Sequence, residues 1–319
     1  MASYPLSCPE TLAPGWSRGQ DRAVRSVPPL QSPSSEPDTM AVPQGAHLLH
    51  SILEAMRCPR CSDDLRIDGE QLACGGCEAR FPFREGIPLL AIQGTTETWT
   101  DRTAEETSEE YQRAYQEVDE ARKYNEAYRD RWTKRWSTQR EYRLLERLLS
   151  SQPRSHILLD LPSGGGRLSP QLSRYGDLLV EADIALGQLL YGKGNHGGQD
   201  PRIWMTASAF HIPFRDEAVD AVVCCRLCHH LPTPDERERL VSELLRVARR
   251  FVIMTFFGHY SMKNWVRRAR APFDGQPPKM TMTIERVREL AGEHGAELVS
   301  YSPLSRLFSG HRYALMVKG

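Results

Sequence analysis

Short apolar runs alternate with amphipathic stretches from residue 155 to the C-terminus. The runs are rich in Leu, Val, Ile and Phe and cover residues 157–161, 178–181, 203–206, 221–225 and 251–256. Runs of this length predict β-strands, and the leucine spacing between them predicts helices. Strands that alternate with helices predict an α/β fold with a parallel sheet covered on both faces. Two later runs, over 297–301 and 312–317, predict two further strands.

The chain divides into four segments by composition. Residues 1–45 are rich in proline and serine without periodicity, which predicts a disordered tail and leaves Met40 as an alternative start. Residues 46–95 hold two cysteine pairs. Residues 96–150 are charged and aromatic, with spacings of four that predict a helical linker or lid. The alternation of strands and helices then makes 151–319 the main domain.

The two cysteine pairs predict a metal site. Cys58 and Cys61 form one C-x-x-C pair, Cys74 and Cys77 form the other, and twelve residues separate the pairs. Each pair can place two thiolates on one tetrahedral ion, and four thiolates leave no open position for catalysis. Gly69 marks a turn between two short strands. The spacing therefore predicts structural Zn2+ in a zinc ribbon, in preference to a redox pair.

A glycine-rich turn follows the first strand of the main domain. Glycines and a helix start let backbone N–H groups approach a nucleotide-like ligand. The dinucleotide-binding pattern would require glycine at position 169, which is Ser169, and this disfavours an NAD-type oxidoreductase. The turn resembles motif I of class I S-adenosylmethionine-dependent methyltransferases, D-x-G-x-G-x-G. The resemblance implies cofactor contacts from Asp160, Pro162, Ser163, Gly164 and Gly166, with Pro162 in the place of the first glycine.

Two further segments resemble the same family. Asp183, followed by Ile184, resembles the acidic motif II, and a carboxylate at this strand end can accept both ribose hydroxyls of an adenosyl group. Glu181 is the rival position. The segment with Ser208 and Ala209 resembles G-D-A-x-x-L-P-F, which lines the adenine in the family. Ser208 replaces the acid of that pattern, so its hydrogen bond to adenine would lack charge assistance.

Residues 219–231 resemble the family segment F-D-x-V-x-x-x-x-x-L-H-H-L, with valine in the place of the aromatic residue. His229 and His230 follow the strand beside the expected methyl-transfer position, and Cys225 is expected to border the pocket. A histidine there could remove a proton near neutral pH, and a structural role is the alternative. A metal site built from these histidines and the neighbouring cysteines is disfavoured, because alternate strand residues face opposite sides.

The resemblance implies a seven-stranded Rossmann-like sheet that ends in an antiparallel hairpin, with S-adenosylmethionine as the methyl donor. The zinc ribbon resembles modules joined to bacterial methyltransferases, including rRNA guanine methyltransferases, and it either caps the domain or recognises substrate. The methyl acceptor is unidentified, and we favour a small molecule or lipid. An rRNA or tRNA base is an alternative. A non-catalytic S-adenosylmethionine-binding protein is another, which Pro162 and Ser208 would support.

Composition limits the classes of molecule that the chain is expected to bind. The 319 residues are 40% hydrophobic, and 41 basic residues balance 41 acidic ones, so nothing global points to nucleic acid. No apolar run approaches the ~20 residues of a membrane span, and the N-terminus lacks an apolar signal region. We therefore expect a cytoplasmic protein without a membrane span. Basic residues over 258–280 predict a lid that suits an acidic or phosphorylated acceptor.

Overall fold

The computed structural model describes residues 46–92, 118–130, 132–198, 201–259, 280–305 and 309–319, with the single positions 266 and 270. All of these residues belong to the unit Val42–Gly319. The predicted disordered tail over 1–45, with Met40, lies outside the described residues. Most of the basic residues of the predicted lid over 258–280 also lie outside them.

The described residues form helices and strands whose bounds follow in chain order. They are α1 Ala46–Ile52, β1 Leu65–Asp68, β2 Gln71–Cys74, β3 Arg80–Arg84, β4 Ile87–Pro88, α2 Val118–Asp130, α3 Trp132–Ser150, β5 Ser155–Asp160, α4 Ser169–Leu172, β6 Gly176–Asp183, α5 Leu186–His196, β7 Arg202–Thr206, β8 Val219–Cys224, α6 Pro234–Val247, β9 Ala248–Phe257, α7 Ile284–Glu293, β10 Ala296–Pro303 and β11 His311–Lys318. Short 3-10 turns cover Leu53–Ala55 and Cys228–His230.

The central sheet has seven strands in the order β10-β11-β9-β8-β5-β6-β7. The five strands β5 to β9 run parallel, whereas β11 lies between β9 and β10 and is antiparallel to both. The predicted α/β fold and closing hairpin are therefore confirmed. Because parallel strands end at the same edge, the residues that follow β5 to β9 meet along one line, and β11 begins there.

The helices that flank the sheet begin where the local sequence predicts. The Thr233 side chain accepts a hydrogen bond from the Glu236 N–H, and the Glu236 side chain accepts one from the Thr233 N–H, which starts α6 with a capping box. Thr283 caps the start of α7, and His294 caps its end before Gly295, whose φ is +68°. A side-chain cap of this kind contributes about 1 kcal/mol to helix stability.

The helix after the glycine turn is shorter than the sequence predicts. The pattern favours a helix over 168–175, but α4 covers only Ser169–Leu172. The chain turns back directly, because the Tyr175 carbonyl accepts a hydrogen bond from the Ser155 N–H at 2.9 Å and pairing of β6 with β5 begins at Gly176. The longer helix was a wrong prediction, because residues 173–175 form the turn that leads into β6.

The four short strands β1 to β4 form a separate antiparallel sheet in that order. Gly69, at φ +61°, makes the predicted turn between β1 and β2. This small sheet lies at the β7 edge of the central sheet, where Leu89 forms a bridge with Thr206 and Met56 forms a bridge with Phe214. Its apolar side chains join the same hydrophobic core as those of one face of the central sheet.

The other face of the sheet is covered by α3. Its apolar stripe is buried there against side chains of β5, β9 and β11, and consists of Leu144, Leu145, Leu148 and Leu149. Within the part of the chain that the structure describes, no helix is both long and apolar enough to cross a lipid bilayer.

Candidate functional site

The glycine turn after β5 is held by backbone hydrogen bonds. The Ser163 N–H donates to the Ala182 carbonyl at 2.8 Å, and the Gly166 N–H donates to the Ser163 carbonyl at 3.1 Å. Gly164 and Gly166 have φ values of +55° and +75°, which side chains with a Cβ rarely adopt. The peptide bond before Pro162 is cis.

Asp183 joins the end of β6 to this turn. One carboxylate oxygen accepts the Gly164 N–H at 2.8 Å, and the other accepts the Ala185 N–H at 2.9 Å. Burial raises the pKa of Asp183, although these two N–H groups oppose that shift. Each oxygen keeps a second lone pair, so the carboxylate can still accept a pair of hydroxyls. Ile184, the next residue, is half-buried.

Asp160 lies at the end of β5 and is fully buried. Among the described residues, neither of its carboxylate oxygens has a hydrogen-bond partner. Burial raises the pKa of Asp160 well above its usual range, and the nearby Glu181 raises it further. A buried carboxylate without a donor is costly, so this group fits a site completed by a bound cation.

Glu181, the rival of Asp183, lies deeper along β6. Its Oε1 atom accepts hydrogen bonds from the Ser169 hydroxyl and from Arg202 Nη1, the latter at 3.3 Å. Burial raises the pKa of Glu181 to about 7. The carboxylate thus lies beneath α4 and not at the open end of the strand, which leaves Asp183 as the ligand candidate.

The segment after β7 makes a tight turn. The Ala207 N–H donates to the Asp183 carbonyl at 3.0 Å, and Ser208 forms a bridge with His211. The Ser208 hydroxyl accepts the N–H of Phe210 at 3.2 Å, so it stabilises its own turn. Ser208 and its neighbour Ala209 are both half-buried. The expected adenine contact from Ser208 therefore stays a prediction.

Helix α2 crosses over the glycine turn, a contact that sequence reasoning did not assign to a residue. A Cβ added at Gly165 would overlap the Asn125 side chain. Asn125 donates to Gln188 Oε1 at 2.9 Å and to the Ala121 carbonyl at 2.8 Å, which links α2 to α5. Helix α2 thus covers the glycine turn on the side that faces away from the sheet.

Several rings lie together where β8 and β9 end and β11 begins. The His229 ring stacks on Phe257 with centroids 4.3 Å apart, and it meets the edge of His311 at 4.9 Å. His230 lies 4.3 Å from His229 and is exposed. Cys225, just after β8, is buried among apolar side chains. His311 was not predicted as a site residue, because it lies 82 positions beyond His229 in the sequence.

A buried acid on α3 ties the two parts of this edge together. Glu141 accepts hydrogen bonds from Arg167 at 2.5 Å, from Arg226 at 2.8 Å and from the Tyr313 hydroxyl at 2.5 Å. Burial opposes ionisation, but the two guanidinium groups lower the pKa of Glu141 to about 2. The sequence carried a signal for it, since Glu141 lies three and four residues before Leu144 and Leu145 on the apolar face of the helix.

The four ribbon cysteines lie together. The Sγ atoms of Cys58, Cys61, Cys74 and Cys77 all lie within 4.8 Å of one another, and the Cys58 and Cys77 sulfurs are 3.7 Å apart. Tetrahedral zinc with Zn–S bonds near 2.3 Å requires S···S separations of about 3.8 Å. Although burial opposes the shift, backbone N–H groups of Cys77 and Gly76 lower the pKa of the Cys74 thiol to about 7. The cluster is compatible with a zinc ribbon.

The structure thus brings the predicted residues to one edge of the sheet, apart from the four cysteines. The glycine turn, Asp160 and Asp183 lie at the ends of β5 and β6, and the Ser208 segment follows β7. Cys225, His229 and His230 follow β8. The cysteines form their own cluster in the small sheet. We did not predict the contacts of Asn125, Glu141 or His311, all of which depend on residues far away in the sequence.

Comparison with known proteins agrees with this arrangement. Residues 159–254 match the family described as "Methyltransferase domain". A demethylmenaquinone methyltransferase of Thermobifida fusca is 31% identical over 105 residues, which cover 31% of this chain and 43% of that protein. A tRNA (carboxymethyluridine(34)-5-O)-methyltransferase of Arabidopsis thaliana is 29% identical over 114 residues, which cover 34% of this chain and 25% of that protein. The chain therefore spans less than half the length of these relatives.

Among solved structures, magnesium protoporphyrin IX methyltransferase from Synechocystis PCC 6803, with bound SAH, superposes with a TM-score of 0.52. The likeness covers 59% of this chain and 88% of that one at 18% identity, so it shows the fold alone. Fold and domain match together confirm the resemblance to class I methyltransferases that the motifs predicted.

Proposed function

We propose that this chain, which carries a class I methyltransferase domain, transfers a methyl group from S-adenosylmethionine to a small-molecule or lipid-type acceptor. The observation that carries the proposal is the orphaned Asp160 carboxylate beside a glycine turn and a strand-end acid. Within the described part of the chain, no donor reaches the buried Asp160 carboxylate, while Asp183 keeps acceptor capacity at the same edge of the sheet. A zwitterionic adenosyl ligand supplies both an ammonium group and a pair of ribose hydroxyls.

The residues at this edge fit that ligand. Asp160 would accept hydrogen bonds from the α-ammonium group, Asp183 would accept them from the ribose hydroxyls, and the segment around Ser208 and Ala209 would line the adenine. When bound, the cofactor supplies an activated methyl group on a sulfonium ion. The ammonium group would also return Asp160 to its ionised form, because an opposite charge offsets the cost of burial.

The other half of the edge would hold the acceptor. His229 lies half-buried between Phe257 and His311, and a flat acceptor would pack against this group of rings. It is also our candidate to receive the proton that an acceptor hydroxyl or carbon loses as the new bond to methyl forms. His230 is the exposed alternative. Alignment of the two substrates supplies much of the rate in such a displacement.

A small acceptor is favoured over RNA by the charge of the ribbon. Residues 58–88 contain four arginines against six acidic residues, which is the opposite of the basic surface that binds phosphates. Demethylmenaquinone methyltransferases of two organisms match at 31% and 34% identity, and these names give a quinone as the methyl acceptor of those enzymes. The tRNA relative keeps RNA as the second candidate.

We also propose that the four-cysteine cluster holds one structural Zn2+ ion. Zinc content should be close to one ion per chain and should be lost in the variant Cys58→Ser, as measured by elemental analysis. A fully folded preparation without metal would refute the ribbon. The described cysteines form no disulfide, so the four thiols of the cluster are free to bind a metal ion.

Titration calorimetry with S-adenosylmethionine, with NADH as the control ligand, tests the cofactor. We expect micromolar binding of the former alone. A quinol panel and bulk tRNA, each added with S-adenosylmethionine in an assay of SAH release, then tests the acceptor class. If the cofactor does not bind, the non-catalytic alternative with a decayed pocket gains support, and Pro162→Gly and Ser208→Asp are the first reversions to test.

A further inference from the structure

The ribbon contacts the chain segment that would line the adenine. The Arg57 N–H, directly before the first ribbon cysteine, donates to the Pro213 carbonyl at 3.2 Å. Met56 forms a bridge with Phe214, and the Arg215 N–H donates to the Ala55 carbonyl at 2.9 Å. These are main-chain contacts, so they fix the course of the backbone at the end of this segment and not only its side chains.

Arg215 adds a side-chain connection to both sides of the first cysteine pair. Its Nε donates to the Glu54 carbonyl at 2.9 Å, and its guanidinium forms an ion pair with Asp64. Glu54 precedes Cys58 and Asp64 follows Cys61. The fork of a guanidinium can hold two groups in fixed directions, which a lysine cannot reproduce. Arg215 can therefore keep both contacts only while the loop around the metal is formed.

The ribbon holds the other end of the same segment as well. Leu89, just after β4, forms a bridge with Thr206, and the Ala91 N–H donates to the Thr206 hydroxyl at 3.0 Å. Thr206 pairs with Asp183 across β6 and β7, and the next residue, Ala207, donates to the Asp183 carbonyl. One end of the segment is thus fixed beside the proposed ribose ligand.

We propose that the metal-loaded ribbon positions residues 206–216 for the adenine of the cofactor, and that Arg215 is the positioning residue that couples the two. The inference rests on the proposed function. A ribbon of four short strands has little core of its own and depends on metal to fold. Loss of metal would therefore release both ends of the segment, while its contacts with α6 through Arg246 would remain.

This role accounts for features that substrate recognition leaves unexplained. The ribbon lies against the β7 edge and shares a hydrophobic core with the sheet, with Leu72 and Phe81 among the buried side chains. Its excess of acidic residues does not suit RNA. A module that supports the cofactor segment requires both features, because support depends on packing and not on surface charge.

The first experiment compares the full chain before and after zinc removal with a chelator. Hydrogen–deuterium exchange should rise in residues 207–216 and stay unchanged in the hairpin strands β10 and β11. Affinities for SAH and for 5′-methylthioadenosine, which lacks the amino-acid part, should both fall at least tenfold and in the same proportion. That factor corresponds to about 1.4 kcal/mol of binding free energy.

The second experiment keeps the metal. Arg215→Ala should retain zinc and still weaken both ligands about threefold or more, and Arg215→Lys should recover only part of the loss. Arg154→Ala is the matched control, since Arg154 is an exposed arginine that pairs with Asp177. This pair lies where β5 and β6 begin, at the opposite end of the strands from the site. The control variant should change neither affinity nor exchange in 207–216.

Three outcomes would overturn the inference. Affinities within twofold after zinc loss and in Arg215→Ala would show that the segment needs no support from the ribbon. A rise in exchange that includes the hairpin would show general stabilisation without positioning. If exchange in 207–216 responds but the zinc-loaded protein binds neither ligand, the proposed function fails, and the cofactor part of this inference fails with it.

Discussion

The two halves of the functional edge are held in different ways. At the ends of β5, β6 and β7, backbone groups set the geometry, with the Gly164 N–H on the Asp183 carboxylate and the Ala207 N–H on the Asp183 carbonyl. At the ends of β8 and β9, rings face one another, with His229 stacked on Phe257. The first half is an arrangement of main chain, whereas the second is an arrangement of side chains.

This difference separates the part of the site that enzymes with different acceptors can share from the part that determines the acceptor. A site built from backbone hydrogen bonds and glycines depends on a short local pattern, so it can be shared by enzymes with different acceptors. A site built from side-chain rings changes with every substitution, and such a surface determines the substrate. Glu141 joins the halves, because it binds Arg167 beside the glycine turn and Arg226 beside the histidines.

Removing Glu141 should destabilise both halves of the edge, because each half contains an arginine that pairs with this carboxylate. Glu141→Ala leaves two partly buried guanidinium groups and the Tyr313 hydroxyl without their shared acceptor. We expect a loss of about 3–5 kcal/mol in the free energy of unfolding. Chemical denaturation measures it. Glu146→Ala, on the same helix with an exposed partner in Arg174, is the control and should stay within about 0.5 kcal/mol of wild type.

The buried glutamates Glu141 and Glu181 should respond to pH in opposite ways. The pKa of Glu181 is raised to about 7, so its contribution to stability is present below pH 4.5 and is lost as pH rises through 7. The pKa of Glu141 is lowered to about 2, so its contribution is present above pH 4.5 and is lost only as pH falls toward 2. Glu181→Gln should therefore reduce the fall in stability between pH 4.5 and 7, by on the order of 2–3 kcal/mol.

Urea denaturation at pH 5, 6 and 7 measures this slope. Glu141→Gln is the matched variant, and we expect it to change the overall stability without changing the slope in that window. A slope that is the same in wild type and in Glu181→Gln would show that Glu181 is ionised throughout, with Arg202 as a sufficient partner.

Asp183 tests the cofactor half directly. Asp183→Ala should weaken SAH binding more than tenfold, about 1.4 kcal/mol or more, because it removes the proposed ribose acceptor and also the acceptor of the Gly164 N–H. Calorimetry measures the affinity. Asp177→Ala, an exposed acid on the same strand, is the control. Equal affinities of Asp183→Ala and wild type would remove the ribose assignment.

Local patterns predicted most of the fold and less of the site. The apolar runs placed the central strands within about three residues of their ends, because each run and its turn lie next to each other in the sequence. Glu141 shows what was missed. Its position on an apolar helix face signals a buried partner, but the partners lie 26 and 85 residues further along the chain. Contacts at that distance depend on the completed fold.

The smallest expected effect is that of His229 on cofactor affinity. If the two halves are separable, His229→Asn should leave SAH binding within about twofold of wild type. The same variant should lower turnover of an acceptor found in the screen about a hundredfold, because a proton acceptor contributes at least that factor. Single-turnover assays with saturating S-adenosylmethionine measure it.

The control for this test is His156→Asn. His156 is an exposed histidine beside Asp177, where β5 and β6 begin. The control variant should change neither quantity. A loss of SAH affinity in His229→Asn as large as that in Asp183→Ala would mean that the rings also support the cofactor. A full rate in His229→Asn would transfer the candidate role to His230, because that ring is the exposed neighbour on the same turn. The loss of SAH affinity would replace the division into halves with a single coupled site, whereas the transfer to His230 would keep the division.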